Sequence, residues 1–433
     1  IYTLSLHDAL PILQKYAASD EHNEADFIVE SMMKEHGENH VPYGKMAVLY
    51  RMNAQSRVIE EGMVKRGIAY TMVGGTRFYD RAEIRDMLAY LKLVANFRDD
   101  ISLMRIINVP RRGIGQTTIQ KLSEFSKQGN MSMFEGIMSL EESDIPVLAR
   151  TKLQKFSALI FSFLNASTEG DVFTLIQKIM TDTEYLSVLQ QSSDPQAQSR
   201  EENLGELLNV AKDFIQEQPE GGLPEFLEKV ALVNDVDSFE EQDDKVTLMT
   251  IHSAKGLEFP IVYMAGMDEG IFPGVRSLMD ETALEEERRL CYVAITRAKE
   301  KLYLTTSAVR TMYGQVKPYV ESRFLKEIPV DLLDEIRGNS SEAKRRTLIR
   351  SNNEQKSKWA LSSAGIVNKP VAKKSVKARF DWQVGDKVSH RMWGKGQVAE
   401  VTGSGKHMML KLIFPNDQIR QVMVAFAPIE KEE

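Results

Sequence analysis

The stretch EEERRLCYVAITRAKEKLYLTT, Glu285 to Thr306, predicts an amphipathic helix that runs directly into a buried strand. The helix covers Glu285 to Ala298 and the strand covers Lys301 to Thr306. Four apolar side chains would hold the helix against a sheet: Leu290, Cys291, Val293 and Ala294. Two further strands precede the helix, VTLMT at Val246–Thr250 and IVYMAG at Ile261–Gly266. This alternation is typical of a parallel α/β sheet.

The same alternation occurs near the start of the chain, where MAVLY (Met46–Tyr50) and the segment Ile68–Val73 are predicted strands. From residue 99 to residue 244 only helix patterns and polar turns occur. We therefore predict one α/β lobe, residues 13–98 and 245–332, interrupted by an all-α insertion over residues 99–244.

Three further segments flank this core. Residues 333–382 are rich in Ser, Asn, Lys and Arg, which predicts a flexible basic linker. Residues 383–433 return to short β-like runs with glycine punctuation, which predicts a small all-β barrel. Residues 1–12 lack an initiator Met, a basic leader and a cleavage site. They resemble translated sequencing-adaptor sequence and are interpreted as non-native.

Composition narrows the class of protein. Across 433 residues, 42 % hydrophobic and 27 % charged side chains are ordinary for a soluble globular protein. The formal net charge of −7 gives no positive field over the whole protein, so any nucleic-acid contact must be local. The single cysteine, Cys291, excludes a disulfide framework and a cysteine-built zinc site. No apolar run approaches the roughly 18 residues of a membrane span, and we expect a cytoplasmic protein.

The segment TIHSAKGLEF, Thr250 to Phe259, begins where a predicted strand ends, and the carboxyl edge of an α/β sheet commonly binds ligands. Four of its residues are candidates for binding: His252, Lys255, Gly256 and Glu258. The His and Lys side chains can donate to a phosphate, and the carboxylate can accept from a ribose hydroxyl. The same residues also suit a solvated loop with chance charges, and their spacing leaves both interpretations open.

Arg297 follows the last turn of the predicted helix and would project from a rigid base. A guanidinium held in this way can stabilise the charge on a transferring phosphoryl group, an effect of roughly 10³ to 10⁵ in rate. Arg288 and Arg289 have a different expected role. They are predicted to pair with Glu285 to Glu287 at helical spacing and to act as scaffold.

The motifs TIHSAKGLEF and EEERRLCYVAITRA occur in this order, with YRMNAQSR (Tyr50–Arg57) upstream. Together they closely resemble the second RecA-like lobe of superfamily 1 DNA helicases of the PcrA/UvrD/Rep family. The resemblance covers Gln14 to Lys431. It implies that Arg297 is the catalytic arginine finger at the γ-phosphate and that Glu258 contacts the nucleotide. It also places four residues on the single-stranded DNA track: His252, Arg51, Asn53 and Arg57.

The helical insertion opens with NVPRRGIGQTTIQ, Asn108 to Gln120, in which a Gly-Ile-Gly turn precedes a helix. Thr117 and Gln120 are predicted to form a capping box. Free backbone N–H groups beside Arg111 and Arg112 would suit a DNA phosphate, although an ordinary tight turn has a similar sequence. The resemblance implies duplex contacts from this turn, by Arg112, Gly113, Ile114, Gly115 and Thr117.

The stretch VRTMYGQVKPYV, Val309 to Val320, predicts a hairpin with Tyr313 and Gly314 at its tip. An exposed aromatic ring can stack on a base, which contributes about 1–3 kcal/mol. This is comparable to the roughly 1.4 kcal/mol of one duplex stacking step. From the residues alone, a surface tyrosine without a role is the simpler interpretation. The resemblance implies that Tyr313 is the strand-separation pin.

The C-terminal module resembles the Tudor-like tail of PcrA-type helicases, which implies RNA polymerase as a partner. The chain contains no G-x-x-x-x-G-K-[ST] loop, and its Asp268-Glu269 pair resembles a second-lobe loop of the family and not a metal-holding pair. We therefore expect ATP and Mg²⁺ to be bound mainly by a first lobe. No metal site is expected in this chain, and no ATP hydrolysis by the 433 residues alone.

Two functional hypotheses follow. The leading one is the C-terminal part of an ATP-dependent 3′–5′ DNA helicase that translocates on single-stranded DNA and unwinds duplex DNA in repair or replication, in the bacterial cytoplasm. The alternative is a non-catalytic module that binds DNA and RNA polymerase. The artefact-like first residues, followed at once by a lobe whose partner surface is bare, favour the helicase.

Overall fold

The computed structural model describes residues 11–234, 243–336, 382–390, 394–402, 409–414, 418–423 and 429–432. Its first nine strands are β1 (Ile12–Ala18), β2 (Met46–Tyr50), β3 (Tyr70–Val73), β4 (Val246–Thr250), β5 (Phe259–Ala265), β6 (Ala298–Ser307), β7 (Val309–Met312), β8 (Gln315–Pro318) and β9 (Leu333–Ile336). Seven of them form one sheet in the order β3-β4-β2-β5-β6-β1-β9, and every pairing in it is parallel. The predicted parallel α/β sheet is confirmed.

Helices cover both faces of this sheet. The helices are α1 (Glu21–Asn39), α2 (Ser56–Lys65), α3 (Ala82–Ala95), α4 (Asp100–Ile106), α5 (Gln116–Gln128), α6 (Met133–Met138), α7 (Val147–Glu169), α8 (Val172–Asp182), α9 (Tyr185–Gln190), α10 (Ala197–Glu217), α11 (Leu223–Asn234), α12 (Glu281–Ile295) and α13 (Arg323–Lys326). Because successive strand residues point to opposite faces, Val48 of β2 packs with Ile28 of α1. Its neighbour Leu49 packs in a second cluster with Cys291 of α12. Burial raises the pKa of the Cys291 thiol to about 12, so this cysteine is a core residue.

Two strands at one side of the sheet, β1 and β9, were not predicted from the sequence. Strand β1 begins at Ile12, the last residue of the segment interpreted as non-native, and lies between β6 and β9. Strand β9 lies in the segment predicted to be linker, so the linker prediction is wrong for residues 333–336. Strands β1 and β9 mix apolar residues with polar or charged ones, whereas β2 consists of apolar and aromatic residues. Their sequences therefore do not mark them as strands, and they are defined by their pairing with neighbouring strands. Residues 1–10 and the rest of the predicted linker, residues 337–381, lie outside the described residues.

The helical segment does not behave as one unit. Residues 11–92 and 179–336 belong to one compact unit, whereas residues 93–178 belong to another. The segment predicted as a single insertion, residues 99–244, therefore contributes its last helices, α9 to α11, to the unit that holds the sheet. In the described part of the chain, no helix is long and apolar enough to cross a membrane.

A buried arginine fastens α10 to the sheet unit. Arg57 of α2 is 2 % exposed, and its guanidinium donates to Glu206 and Asp213 of α10 and to Glu61 of its own helix. The nitrogen–oxygen distances are 3.0 Å to Glu61 and 3.3 Å to Asp213. Three carboxylates around one buried cation offset the cost of removing that charge from water.

A second buried link joins α10 to α3. Asn203 of α10 accepts a hydrogen bond of 2.7 Å from Arg81 and donates one of 2.6 Å to Glu83. Arg81 also donates to the Ser56 hydroxyl at 2.7 Å. Helix α10 is thus positioned by directional polar contacts, which specify its rotation and its height along the sheet unit.

The tail is a separate small β structure. Its strands are β10 (Lys387–His390), β11 (Gly394–Thr402), β12 (Met409–Phe414), β13 (Gln418–Met423) and β14 (Ile429–Glu432), paired antiparallel in the order β13-β12-β11-β10-β14. Its core consists of Trp382, Val388, Val398, Leu410, Leu412 and Phe414. A Cβ on Gly396 would lie 2.7 Å from the Phe414 ring, so this position requires glycine. The predicted all-β tail is confirmed.

Replacing Arg57 tests the role of the buried network. Arg57→Ala is expected to lower the free energy of unfolding by about 3–5 kcal/mol, because it leaves buried carboxylates without their cation. Urea unfolding of the chain, followed by circular dichroism, measures the change. Arg289→Ala is the matched control, because Arg289 is exposed and pairs only with Glu286 on the surface; it should cost less than about 1 kcal/mol. Equal midpoints for the two variants would contradict this role.

Candidate functional site

Arg297 is held in place at the end of α12. Its Nε donates to the carbonyl of Val293 at 3.0 Å, one Nη donates to the carbonyl of Leu257 at 2.9 Å, and the other donates to the Thr296 hydroxyl at 3.0 Å. All three acceptors are neutral. No carboxylate among the described residues pairs with this guanidinium, which remains partly exposed. Arg297 is therefore an oriented cation whose charge is available to an anionic ligand.

Glu258 lies beside Arg297. The two residues directly precede neighbouring strands, β5 and β6, and the N–H of Phe259 donates to the carbonyl of Arg297 at 2.9 Å. The Glu258 carboxylate is exposed and lies 3.2 Å from the ammonium of Lys299. The structure thus brings the two predicted nucleotide-binding residues together at the amino edge of the sheet.

Three of the predicted DNA-binding residues lie at the opposite, carboxyl edge. Arg51 and Asn53 follow β2, and His252 follows β4, the strand next to it. Arg51 binds Glu287 of α12 through two of its nitrogens, at 3.1 and 2.6 Å, and Asn53 donates to Ser199 of α10 at 3.0 Å. The exposed His252 imidazole is close enough to Arg51 for that charge to affect its titration.

The segment TIHSAKGLEF therefore does not form one site at the carboxyl edge, as its sequence suggested. His252 lies just past the carboxyl end of β4, whereas Glu258 lies just before the amino end of β5. Because β4 and β5 both pair in parallel with β2, residues 251–258 have to run from one edge of the sheet to the other. The two predicted ligands of this segment belong to two different surfaces.

The prediction that Arg57 contacts single-stranded DNA is corrected by its burial. The guanidinium is enclosed by three carboxylates and is 2 % exposed. A phosphate could reach it only by displacing those partners. Arg57 is a scaffold residue that positions α10. It is the second residue of α2 and follows Arg51 and Asn53 closely in the chain, which explains why the sequence pattern did not separate the three.

The acidic run of α12 contains a partner of the predicted site residue Arg51 that the sequence reasoning missed. The predicted surface pairs are confirmed, because Arg288 donates to Glu285 and Arg289 to Glu286. Glu287 behaves differently, since it is 6 % exposed and binds Arg51. It is four and seven residues before Cys291 and Ala294, both of which are buried. A carboxylate on the buried face of a helix indicates a buried cationic partner, and this spacing was the available signal.

In the Gly-Ile-Gly turn, Arg112 has a structural role. Its guanidinium donates to the carbonyls of Ile106, Val109 and Pro110 and lies over the Phe156 ring. The expected duplex contact from the Arg112 side chain is therefore not available in this conformation, because backbone acceptors already occupy it.

The backbone of the turn remains presented to solvent. Gly113 is in the left-handed region, with φ of 68°, and its carbonyl accepts from Lys152 at 2.8 Å. Ile114 is buried and anchors the turn, whereas Gly115 and Thr117 are exposed. Helix α5 begins after Gly115, which has no side chain to cap it, so the predicted capping box of Thr117 and Gln120 is wrong. Uncapped N–H groups at an exposed helix start remain suited to a phosphate.

The predicted hairpin is present, with Tyr313 and Gly314 as its two-residue tip between β7 and β8. Both tip residues have positive φ, 52° and 71°, which is the geometry of a tight turn matched to the twist of the strands. The Tyr313 side chain is 41 % exposed.

The Asp268-Glu269 pair is structural. Asp268 is fully buried and accepts from Arg310 Nε at 2.8 Å, while Glu269 accepts from Arg323 at 3.0 Å. Burial raises the pKa of Asp268, although Arg310 opposes the change. Within the described ranges, no group of three or more His, Cys, Asp or Glu side chains could hold a metal ion.

Comparisons with known proteins extend these observations. The family model for the UvrD-like helicase C-terminal domain matches residues 12–308, and the model for the PcrA/UvrD tudor domain matches residues 384–431. The chain is 40 % identical over 426 residues to the ATP-dependent DNA helicase PcrA of Bacillus subtilis strain 168, and 41 % identical over 425 residues to the protein of that name from Staphylococcus aureus strain Mu50. Each alignment covers 96 % of this chain but 56 % of the relative. The chain thus spans about half the length of the curated relatives it matches.

The titration of His252 gives a pH prediction. Partial loss of hydration and the charge of Arg51 hold the pKa of His252 below the ordinary value of 6.5, so the ring is mostly neutral at pH 7 and gains charge only as the pH falls through that lowered value. One added charge near a phosphate contributes about 1 kcal/mol in water, so the contact with single-stranded DNA that the sequence predicts for His252 should raise affinity by up to about fivefold between pH 7.5 and pH 5.5. Fluorescence anisotropy with a labelled oligonucleotide measures this rise.

Two variants show whether the rise in affinity comes from His252. His252→Gln should reduce the rise, because glutamine does not titrate. Lys255→Gln is the control, because a lysine keeps its charge over this range and its loss should lower affinity by a similar factor at both pH values. A rise of the same size in the His252→Gln protein would show that the imidazole does not face the DNA.

Proposed function

This chain belongs to the UvrD-like helicase family, and on that premise we propose that it supplies the second motor lobe, the helical insertion and the Tudor-like tail of an ATP-dependent DNA helicase. The complete enzyme would translocate 3′ to 5′ on single-stranded DNA and unwind duplex DNA in repair or replication. The observation that carries the proposal is Arg297, a guanidinium oriented by three neutral acceptors and paired with no carboxylate of the described residues.

Bound ATP supplies the free energy for movement, and the chain offers one side of its site. Arg297 would contact the γ-phosphate, and Glu258 would accept from a ribose hydroxyl. Because the Arg297 fork is already fixed, it would stabilise the charge of the transferring phosphoryl group without a cost of reorganisation. Mg²⁺ would be held mainly by a first motor lobe, because the resemblance places the phosphate-binding loop and the metal-holding carboxylates there.

Two elements connect the nucleotide edge with the DNA edge. Residues 251–258 run from beside His252 to Glu258, and α12 runs from Glu287, which binds Arg51, to the base of Arg297. Closure of the lobes on the nucleotide would shift Arg297 and, through these elements, the DNA-facing residues. His252, with Arg51 and Asn53 beside it, would then release and rebind the strand in step with hydrolysis.

The helical insertion and the Tyr313 hairpin would contact duplex DNA, and the Tudor-like tail would bind a protein partner. The exposed start of α5, with Gly115 and Thr117, would bind a backbone phosphate of duplex DNA. Tyr313 would stack on the last base pair at the fork. The Tudor-like tail would bind a protein partner, and the resemblance implies RNA polymerase in the bacterial cytoplasm.

Removing the Arg297 guanidinium tests the proposed phosphate contact. In the full-length protein, Arg297→Ala is expected to lower ATP turnover by about 10³- to 10⁵-fold, the range seen when an arginine finger is absent. Affinity for single-stranded DNA should change little, because Arg297 lies at the other edge of the sheet. A coupled assay of phosphate release and anisotropy measure the two quantities.

Matched variants support the interpretation. Arg297→Lys should also be slow, because an ammonium cannot reproduce the planar contacts to Val293 and Leu257. Arg289→Ala, on the same helix and exposed, should turn over ATP normally. The 433-residue chain alone should give no DNA-stimulated turnover. Normal hydrolysis by Arg297→Ala, or turnover by the chain alone, would refute the assignment.

Replacing Tyr313 tests strand separation. Loss of one stacking contact, about 1–3 kcal/mol, predicts that Tyr313→Ala unwinds a tailed duplex about 5- to 150-fold more slowly. Its ATP turnover on single-stranded DNA should change little, because no base pair is opened there. Tyr313→Phe keeps the ring and should unwind normally, and an unwinding rate for Tyr313→Ala equal to that of the natural protein would exclude the role.

A further inference from the structure

The ring of Tyr313 lies against the backbone of α10. A Cβ placed on Gly205 would be 2.4 Å from Cε1 and 2.5 Å from Cδ1 of that ring. Gly205 lies in the interior of the 21-residue helix α10, where glycine is a poor helix former. Because Gly205 has no side chain, the ring can contact the helix surface closely, while Tyr313 as a residue remains 41 % exposed.

Asn209 of α10 forms hydrogen bonds on both sides of the hairpin tip. Asn209 is 2 % exposed; its Oδ1 accepts from the N–H of Gly314 at 2.7 Å and its Nδ2 donates to the carbonyl of Thr311 at 2.8 Å. These two backbone groups lie on either side of Tyr313. A further contact comes from Lys212, whose ammonium donates to the carbonyl of Gly314. Both backbone hydrogen-bonding groups of Gly314 are thus bound by α10.

The tip conformation needs such support. Tyr313 has a φ of 52°, in the left-handed region that non-glycine residues seldom adopt. A short two-stranded hairpin is marginally stable by itself in water, so its tip would not hold an aromatic ring in one direction. The contacts to α10 supply what the hairpin lacks.

Helix α10 is in turn tied to the edge of the sheet where the predicted DNA-binding residues lie. Ser199, one and a half turns before Gly205, accepts from Asn53 at 3.0 Å. Glu206, next to Gly205, binds the buried Arg57 and accepts from Asn209 at 2.7 Å. The position of the Tyr313 ring relative to the sheet is therefore set by α10 and its buried polar contacts.

We propose that Gly205 and Asn209 are positioning residues for strand separation: the first provides the surface on which the Tyr313 ring rests, and the second holds the hairpin tip in the conformation that presents the ring. This proposal rests on the proposed role of Tyr313 in the helicase. Helix α10 thereby converts the flexible tip into a rigid stacking platform.

The test compares unwinding with ATP turnover in the full-length protein. In single-turnover unwinding of a tailed duplex, Gly205→Ala and Asn209→Ala are each expected to be slower by about tenfold, because a displacement of about 1 Å has large effects on a positioned group. ATP turnover on single-stranded DNA should stay within about twofold of that of the natural protein, since Asn209 bonds to Glu206, Thr311 and Gly314 and Gly205 faces the Tyr313 ring, all distant in the chain from Arg297. A loss of both activities together would show a merely structural role and would overturn the proposal.

Double variants show whether the effect passes through the ring. Gly205→Ala combined with Tyr313→Ala should unwind no more slowly than Tyr313→Ala alone. An additive loss would mean that Gly205 acts by another route and would overturn the proposal. Gly37→Ala is the matched control, because it adds the same methyl group to helix α1 with no atom within 4 Å; it should unwind normally.

The outcomes separate this proposal from the proposed function. Normal unwinding by Tyr313→Ala would remove the role of the ring and with it the need for positioning. Slow unwinding by Tyr313→Ala but normal unwinding by Gly205→Ala and Asn209→Ala would refute the positioning role alone. If Asn209→Ala fails to fold, as thermal unfolding would show, Lys212→Met replaces it, because the half-buried Lys212 also binds the carbonyl of Gly314.

Discussion

All seven strands of the central sheet run in one direction, so every connection between neighbouring strands has to cross the sheet from its carboxyl edge to its amino edge. This constraint divides the candidate residues into two surfaces. Residues that follow strands, such as Arg51 and His252, lie at one edge, and residues that precede strands, such as Glu258 and Arg297, lie at the other. Segments that cross the sheet are then the natural route by which one surface affects the other.

Charge pairing decides which arginines are available at these surfaces. Arg57 is enclosed by carboxylates, Arg51 is bound by Glu287, and Arg112 is bound by backbone carbonyls. Arg297 is oriented as firmly as the others, yet its acceptors are neutral and leave its charge uncompensated by any described carboxylate. An oriented, unneutralised cation suits electrostatic stabilisation of phosphate better than a paired one. The buried network around Arg57 serves another purpose, since it fixes the helix on which the Tyr313 ring rests.

Much of the fold was accessible from local patterns. The strands MAVLY and VTLMT were predicted with their observed bounds, because continuously apolar runs are typical of parallel strands buried on both faces. Strands β1 and β9 were not predicted, since their mixed sequences become strands only by pairing with neighbours distant in the chain. The division of the helical segment was also hidden, because the contacts that attach α10 to the sheet unit, Arg57 to Glu206 among them, join residues about 150 positions apart.

The parallel α/β architecture, the all-β tail, the hairpin with Tyr313 at its tip and the place of Arg297 at the end of its helix could all be derived from the sequence, because each depends on local periodicity and on residues near in the chain. The folded structure was needed to show that Glu287 binds Arg51, that Arg57 and Arg112 are scaffold, and that Asn209 binds the hairpin tip while Gly205 faces the Tyr313 ring. The availability of a polar side chain depends on its burial and its partners. Those partners come from other elements, and no local pattern of residues specifies them.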